Sequence, residues 1–403
     1  MVMAYLIPAI YDAALGVFGF ALPLFLLDGS VDPVVMGSLL AMPALVQIIA
    51  RIPAGLLAGR IGNVRGMLLG CAFTAASAAL IVGSTPARLV AFVAIAQVLA
   101  GLGRASFWPA NQAHLFETAG ERIAAVIGPY NFFVTLGGIT GPLSAGLLIT
   151  LLGHRAPFWL LCLLALAAAA LLLYRVAPRQ ALAATDTDYE AQTELAKGSL
   201  RRVVSSPAIW LAGLLCVASV LPFVVTTSFY PVLLKSRGLA AASISLLVTV
   251  RSGSVALFSL LTGSGLHPNR RPLLVLVSVI AGATGLALIP LLSATAAGVL
   301  PMLLLGLCGG AMHNVQMAVA GEAVGRRDRA LAMAVVGSVG NVAMALTPLA
   351  HGWLASQGRL EDAFGLTGLV LAAAGLIAWR WSLALRGAVP RADVVLPPPS
   401  PPG

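Results

Sequence analysis

Seven ionisable side chains sit in stretches that are otherwise apolar: Asp12, Arg51, Arg104, Arg251, His114, His313 and His351. A charge in a membrane-spanning helix costs about 2.5–3.5 kcal/mol on insertion scales, so each is a candidate for function. Asp12 is the only acidic residue well inside such a stretch. A carboxylate whose proton affinity changes with access to water can carry a proton in an exchanger. Arg104 is its expected partner, and the pair is assigned to proton coupling. Arg251 has no acidic neighbour in sequence and could hold an anionic substrate. His313 lies beside Asn314 and Gln316, which suits substrate contact. Arg51 is one helical turn before Gly55, from where it can snorkel to an interface. His114 and His351 fall near stretch ends and are expected to be interfacial. Asn131 and Asn341 are expected to face a cavity, because an amide facing lipid goes unsatisfied. Tyr11, Trp108, Tyr130, Phe132, Phe223, Phe229 and Tyr230 could supply apolar contact area, with Tyr11 and Trp108 foremost for substrate.

These residues need elements that hold them in lipid. The chain has 403 residues, 59% hydrophobic and only 9% charged. A soluble domain carries about 25% charged residues, so here the surface itself must be apolar. Apolar stretches of transmembrane length recur at 5–27, 34–58, 67–84, 90–114, 124–152, 157–175, 208–233, 241–264, 272–292, 297–319, 330–352 and 363–385. The fold expected is therefore an all-α membrane protein of twelve transmembrane helices. The first stretch lacks a basic lead-in and reads as a retained span, not a cleaved signal.

The net charge of +10 does not point to nucleic acid, because the basic residues alternate between loops. One side holds Arg60, Arg65, Arg122, Arg175, Arg179, Lys197, Arg201, Arg202, Arg270, Arg271, Arg326, Arg327, Arg329, Arg380, Arg386 and Arg391. The other holds Arg88, Arg155, Lys235, Arg237 and Arg359. The positive-inside rule then places both termini in the cytoplasm of a cell bounded by an inner, cytoplasmic membrane. Cys71, Cys162, Cys216 and Cys308 are dispersed in apolar stretches and read as inert thiols, with no metal site. No phosphate-binding loop or hydrolase motif is present, so neither ATP nor enzyme chemistry is expected.

The segment 176–207 is the longest hydrophilic stretch and divides the chain. The expected organisation is a bundle at 1–175, a cytoplasmic linker at 176–207, a second bundle at 208–386 and a Pro-rich, disordered tail at 387–403. The halves look like copies: Gly101-Leu102 matches Gly306-Leu307, Glu117 matches Glu322, Arg122 matches Arg327, Pro142 matches Pro348 and Pro23 matches Pro231.

The fifth stretch carries Gly128, Gly137, Gly141, Pro142 and Gly146, with Ala145 between the last two. This resembles G-x8-G-x3-G-P-x2-G-G, the fifth-helix motif of proton-coupled exporters in the major facilitator superfamily; five of six positions match. The loop GLLAGRIGNVRG is similar to that superfamily's G-x-L-A-D-R-x-G-R-K, through Gly55, Leu57, Ala58, Arg60 and Gly62. Gly59 replaces the aspartate that latches the halves, and Gln97 replaces an arginine that exporters often carry in the fourth helix. The resemblance implies two pseudo-symmetric six-helix bundles around a midplane site and, by its exporter branch, multidrug-type efflux by proton antiport. It implies a monomer in the lipid bilayer that needs no cofactor beyond the proton gradient. Uptake by proton symport, with Arg251 on an anion, and a non-transporting scaffold or receptor of the same fold are the alternatives. With one acid and two arginines in the cavity, neutral or anionic substrates are favoured over lipophilic cations.

Overall fold

The protein is described from a computed structural model, covering residues 2–119, 123–175, 200–263, 268–292, 296–324 and 329–385. The described residues outside loops and two single 3-10 turns are α-helical. The first half holds α1 (Val2–Asp28), α2 (Pro33–Ile61), α3 (Asn63–Val82), α4 (Leu89–Ala119), α5 (Ile123–Leu152) and α6 (Ala156–Arg175). The second holds α7 (Pro207–Thr227), α8 (Phe229–Ser236), α9 (Ala241–Gly263), α10 (Arg271–Leu288), α11 (Val299–Glu322), α12 (Arg329–Ser356) and α13 (Leu360–Leu385). Among the described residues, twelve spans are long and apolar enough to cross a membrane, α7 and α8 together forming one.

Two pieces of the expected organisation fall largely outside the described residues: the linker up to residue 199 and the tail from 386. Residues 200–205 continue as helix, with Val203 buried against Ile209 and Ala212.

Helix ends follow local chemistry. Asp32 caps α2, its Oδ1 accepting from the amides of Val34 and Val35 at 2.8 and 3.2 Å, and Pro33 takes the first helical position. Gly62 separates α2 from α3 at φ +91°, a conformation that side chains resist, which accounts for that glycine of the loop motif. The expected seventh span, 208–233, is not continuous. It breaks at Ser228, with φ −121° and ψ −90°. Pro231 has no amide to return to the carbonyl of Thr227. Around the break Thr226, Thr227 and Ser228 turn their hydroxyls back onto the carbonyls of Pro222, Phe223 and Val224.

The two halves share a pairing scheme with one difference. In the first, α1 packs on α5 and α6, α2 on α4, and α3 on α4 and α6. In the second, α7 packs on α12 and α13, α9 on α11, and α10 on α11 and α13, and α7 also packs closely on α11, which the first half does not match between α1 and α4. The halves meet through α2 with α12 and α5 with α9, a pair of contacts that the same symmetry exchanges. Glycines make these crossings possible. Gly37 and Gly352 bring α2 against α12, and Gly146 brings α5 against Ser245 of α9. A side chain at any of them would overlap the opposing helix.

These crossings lie toward the face that carries Asp32. On that side one apolar core runs through both halves, from Phe18, Phe20 and Leu24 to Val232, Leu233 and Ile244. Toward the opposite face the core divides. Tyr11, Met67, Phe107 and Leu172 pack within the first half, and Ile209, Ala320 and Val336 within the second. The apolar core shared by the halves thus lies at the Asp32 face, and toward the face of the N-terminus the cores are separate, with α2 still meeting α12 where Arg51 lies against Gly337.

Candidate functional site

The centre of the molecule lies where the shared core gives way to the two separate ones. Two glycines aim Arg104 there. Gly101 sits against Val46 of α2, and Gly103 against Thr74 of α3, which fixes the back of α4. Arg104 then faces a cavity of about 50 Å³ between the halves. Its wall includes Phe18, Gln97 and Arg104 from the first half, and Phe223, Thr227 and Met344 from the second. Gln97 occupies the position of the missing arginine. It donates to the carbonyl of Leu39 at 2.6 Å, tying α4 to α2, while its Oε1 has no hydrogen-bond partner.

Asp12 is half-buried and stands at the α1–α5 seam. Gly137 and Gly141 press α5 onto the backbone of α1 from Ala9 to Val17. A Cβ at Gly138 would lie 3.2 Å from Oδ2 of Asp12, so the carboxylate occupies the space that this glycine leaves. Asp12 is within electrostatic range of both Arg104 and Arg251. It makes no ion pair within 4.0 Å with either; ion pairs among the described residues include His154–Asp28, Arg237–Glu361, Arg271–Glu322 and Arg359–Asp362.

Arg251 enters from the other half. It is 7% exposed, and its guanidinium carbon lies 5.5 Å from the ring centroid of Phe223, itself a wall of the cavity. Its hydrogen bond is a long one, 3.3 Å to the hydroxyl of Ser252. Nε of Arg104 and Nε of Arg251 are buried without a partner among the described residues. The structure thus brings Asp12, Arg104 and Arg251 to one centre from α1, α4 and α9.

The remaining candidates divide between this centre and the packing around it. Tyr11 is fully buried: its hydroxyl meets Oγ1 of Thr74 at 3.0 Å and its ring stacks on Phe107 at 3.6 Å. Trp108 stands edge-on to both rings and is half-buried. His313 is exposed on α11, with Gln316 as hydrogen-bond neighbour. Gln316 is buried and reaches Ser219 at 3.5 Å. Asn314 turns away from His313; its Nδ2 donates to the carbonyl of Ser259 and the hydroxyl of Thr262, at 2.7 and 3.0 Å, clamping α11 to α9. Asn131 is half-buried on α5. Asn341 is 4% exposed and its Nδ2 lacks a partner. Arg51 does not reach for an interface: its guanidinium lies against Gly337 of α12, across the boundary between the halves. His351, expected at an interface, is instead 1% exposed, bonded to Thr367 at 2.8 Å and flanked by the rings of Phe229 and Phe364.

Of the motif residues, Gly137, Gly141, Pro142 and Gly146 form the face of α5 that meets α1 and α9, Pro142 lying against Gly16. Gly128 lies in α5, with its surroundings outside the description. Gly55 faces open space, and Arg60 is exposed in the last turn of α2.

Sequence reasoning left out Gln97, Thr227 and Met344 as cavity walls. A signal was present for the first: Gln97, Arg104, Trp108 and Asn111 are spaced by seven, four and three, one face of a helix.

Twelve apolar spans in two related bundles, with Asp12, Arg104 and Arg251 drawn toward one centre from both, define a polytopic membrane protein of the transporter type. The family follows from the sequence match: the model of the Major Facilitator Superfamily fits residues 4–313 and 225–401, and the chain belongs to that superfamily. A relative from Schizosaccharomyces pombe, "Uncharacterized MFS-type transporter C18.02", is 32% identical over 149 residues, 36% of this chain and 32% of the relative. The chain thus matches about a third of that protein's length. Among solved structures, a D-xylose-proton symporter is similar with a TM-score of 0.75 at 17% identity, over 94% of this chain and 96% of the other. The nucleoside transporter NupG is similar with a TM-score of 0.68 at 15% identity, over 96% and 98%. At such identity the likeness is one of fold.

Proposed function

We propose that the protein moves a small molecule across the cytoplasmic membrane by alternating access, coupled to protons through Asp12. The observation that carries this is the convergence of Asp12, Arg104 and Arg251 from both halves on the one region where packing between the halves changes. A carboxylate flanked by two guanidinium groups there exchanges its proton according to which face is open to water, while the halves rock about the α2–α12 and α5–α9 crossings. Both termini lie in the cytoplasm on this reading, so the shared core lies outside and the separate cores inside. The loss of an aspartate at Gly59 agrees with a weak inner latch.

Two coupling signs are supported by different observations. The motif of α5 favours export by antiport. Two guanidinium groups against one carboxylate favour a substrate that travels with the proton. Reconstituted vesicles holding a pH-sensitive dye separate them, with organic acids, sugars and amphipathic drugs added in turn. Substrate-dependent proton movement is expected in the wild type and absent in Asp12→Asn. Movement opposed to the substrate assigns antiport, and movement with it symport. Equal proton movement in Asp12→Asn would remove Asp12 from the mechanism.

A further inference from the structure

We propose that the central site takes a small anion, through a carboxylate or phosphate group held between Arg104 of the first half and Arg251 of the second. The inference rests on the transporter reading and adds its substrate class. Both guanidinium groups face one region: Arg104 lines the cavity, and Arg251 lies over Phe223, which lines it too. Arg251 is more than nine-tenths buried, and each arginine has a buried Nε without a partner among the described residues. A guanidinium group presents a planar fork that suits the paired oxygens of a carboxylate or phosphate. A buried donor left unpaired is costly, and Arg104 and Arg251 each hold one beside a cavity wall that they share through Phe223.

The facing groups from every neighbouring helix decide the sign. Among the described residues, Asp12 of α1 is the one carboxylate within electrostatic range, and it lies within 4.0 Å of neither arginine. Gln97 of α4, Thr227 and Ser228 at the end of α7 and Ser252 of α9 are neutral, and His313 of α11, when protonated, would add to the positive side. Arg51, the third arginine between the halves, is held apart against Gly337. Two cations against one acid leave an excess of positive charge, which repels a cationic ligand and attracts an anionic one. Protonation of Asp12 removes the one competing negative charge among the described residues. By linkage a proton and the anion then strengthen each other's binding and move in the same direction.

The test is a thermal-unfolding series on the full chain in detergent at constant ionic strength. The probes are sodium salts of mono- and dicarboxylates and of phosphate esters, each beside its neutral amide or alcohol analogue. Stabilisation by at least one anion and not by its neutral analogue is expected. Apparent affinity for that anion falls at least tenfold in Arg104→Gln and in Arg251→Gln. Arg251→Lys keeps the charge without the fork and falls between. Equal stabilisation by the neutral analogue, stabilisation by no anion of the series, or full anion affinity in both glutamine variants would overturn the proposal. Variants that unfold without ligand at the wild-type temperature qualify for this comparison; if either does not, the lysine variant replaces it. Binding is read at equilibrium. An anion that binds without proton flux in vesicles would count against transport and leave this site assignment standing.

Discussion

At the scale of single residues, three of the charges within the spans gather at one centre. Asp12, Arg104 and Arg251 were each legible as costly intramembrane charges, because an ionisable side chain in an apolar stretch stands out in any sequence. What the sequence could not disclose is which polar groups are already satisfied. Asn314 and Gln316 share a helix with His313, yet Asn314 is spent on clamping α11 to α9, while His313 is exposed. His351 misled for a related reason: its position near a helix end suggested an interface, but Thr367 and two aromatic rings enclose it. Asn314→Ala should remove both clamping bonds and cost about 1–3 kcal/mol of stability. The midpoint of thermal unfolding in detergent checks this. An unchanged midpoint would show that the clamp contributes nothing.

At the scale of helices, the glycines of α5 have a direct physical meaning. Their spacing was legible because it repeats along one helical face; the partner helices were not, since nothing local specifies what a small-residue face will meet. Gly137 and Gly141 seat α1, and Gly146 seats α9 of the other half, so one face of α5 serves packing within a bundle and between bundles. Gly141→Leu should push α5 from α1, because the added atoms meet backbone and no flexible side chain yields. A loss of about 1–3 kcal/mol or more, and loss of transport, are expected. Gly253→Ala is the control: nothing lies within 4 Å of that position, and the unfolding midpoint should not fall. Equal loss in both variants would mean that close approach at Gly141 does not govern, since helix propensity alone favours both replacements. The break between α7 and α8 also has a local origin in Pro231, but its exact position at Ser228 depends on three hydroxyls returning to the backbone, which periodicity alone does not reveal.

At the scale of the molecule, two six-helix halves share a core at the Asp32 face and hold separate cores toward the other. Alternation of apolar and basic segments made the twelve spans and their halves readable in advance. The conformation adopted was not, since one sequence must support both members of an alternating pair. Positions 19 and 227 offer a lock: an added Cβ at Gly19 would stand 3.5 Å from Cβ of Thr227, a separation suited to a disulfide between α1 and α7. Gly19→Cys with Thr227→Cys, in a background without the four native cysteines, should cross-link on oxidation and stop transport until reduced. Transport unaffected by the cross-link would mean that the halves need not part there. The most direct test of the account is a pair of distance measurements by electron–electron spin resonance. One label pair goes on the Asp32 face, at Ser30 and Gln357, and one on the opposite face, at Arg65 and Asn269; these positions are exposed. Alternating access predicts reciprocal shifts between neutral and acidic pH, one face widening as the other narrows, with Asp12→Asn holding the protonated pattern at both. Distances that stay fixed at both faces, or that widen together, would contradict it.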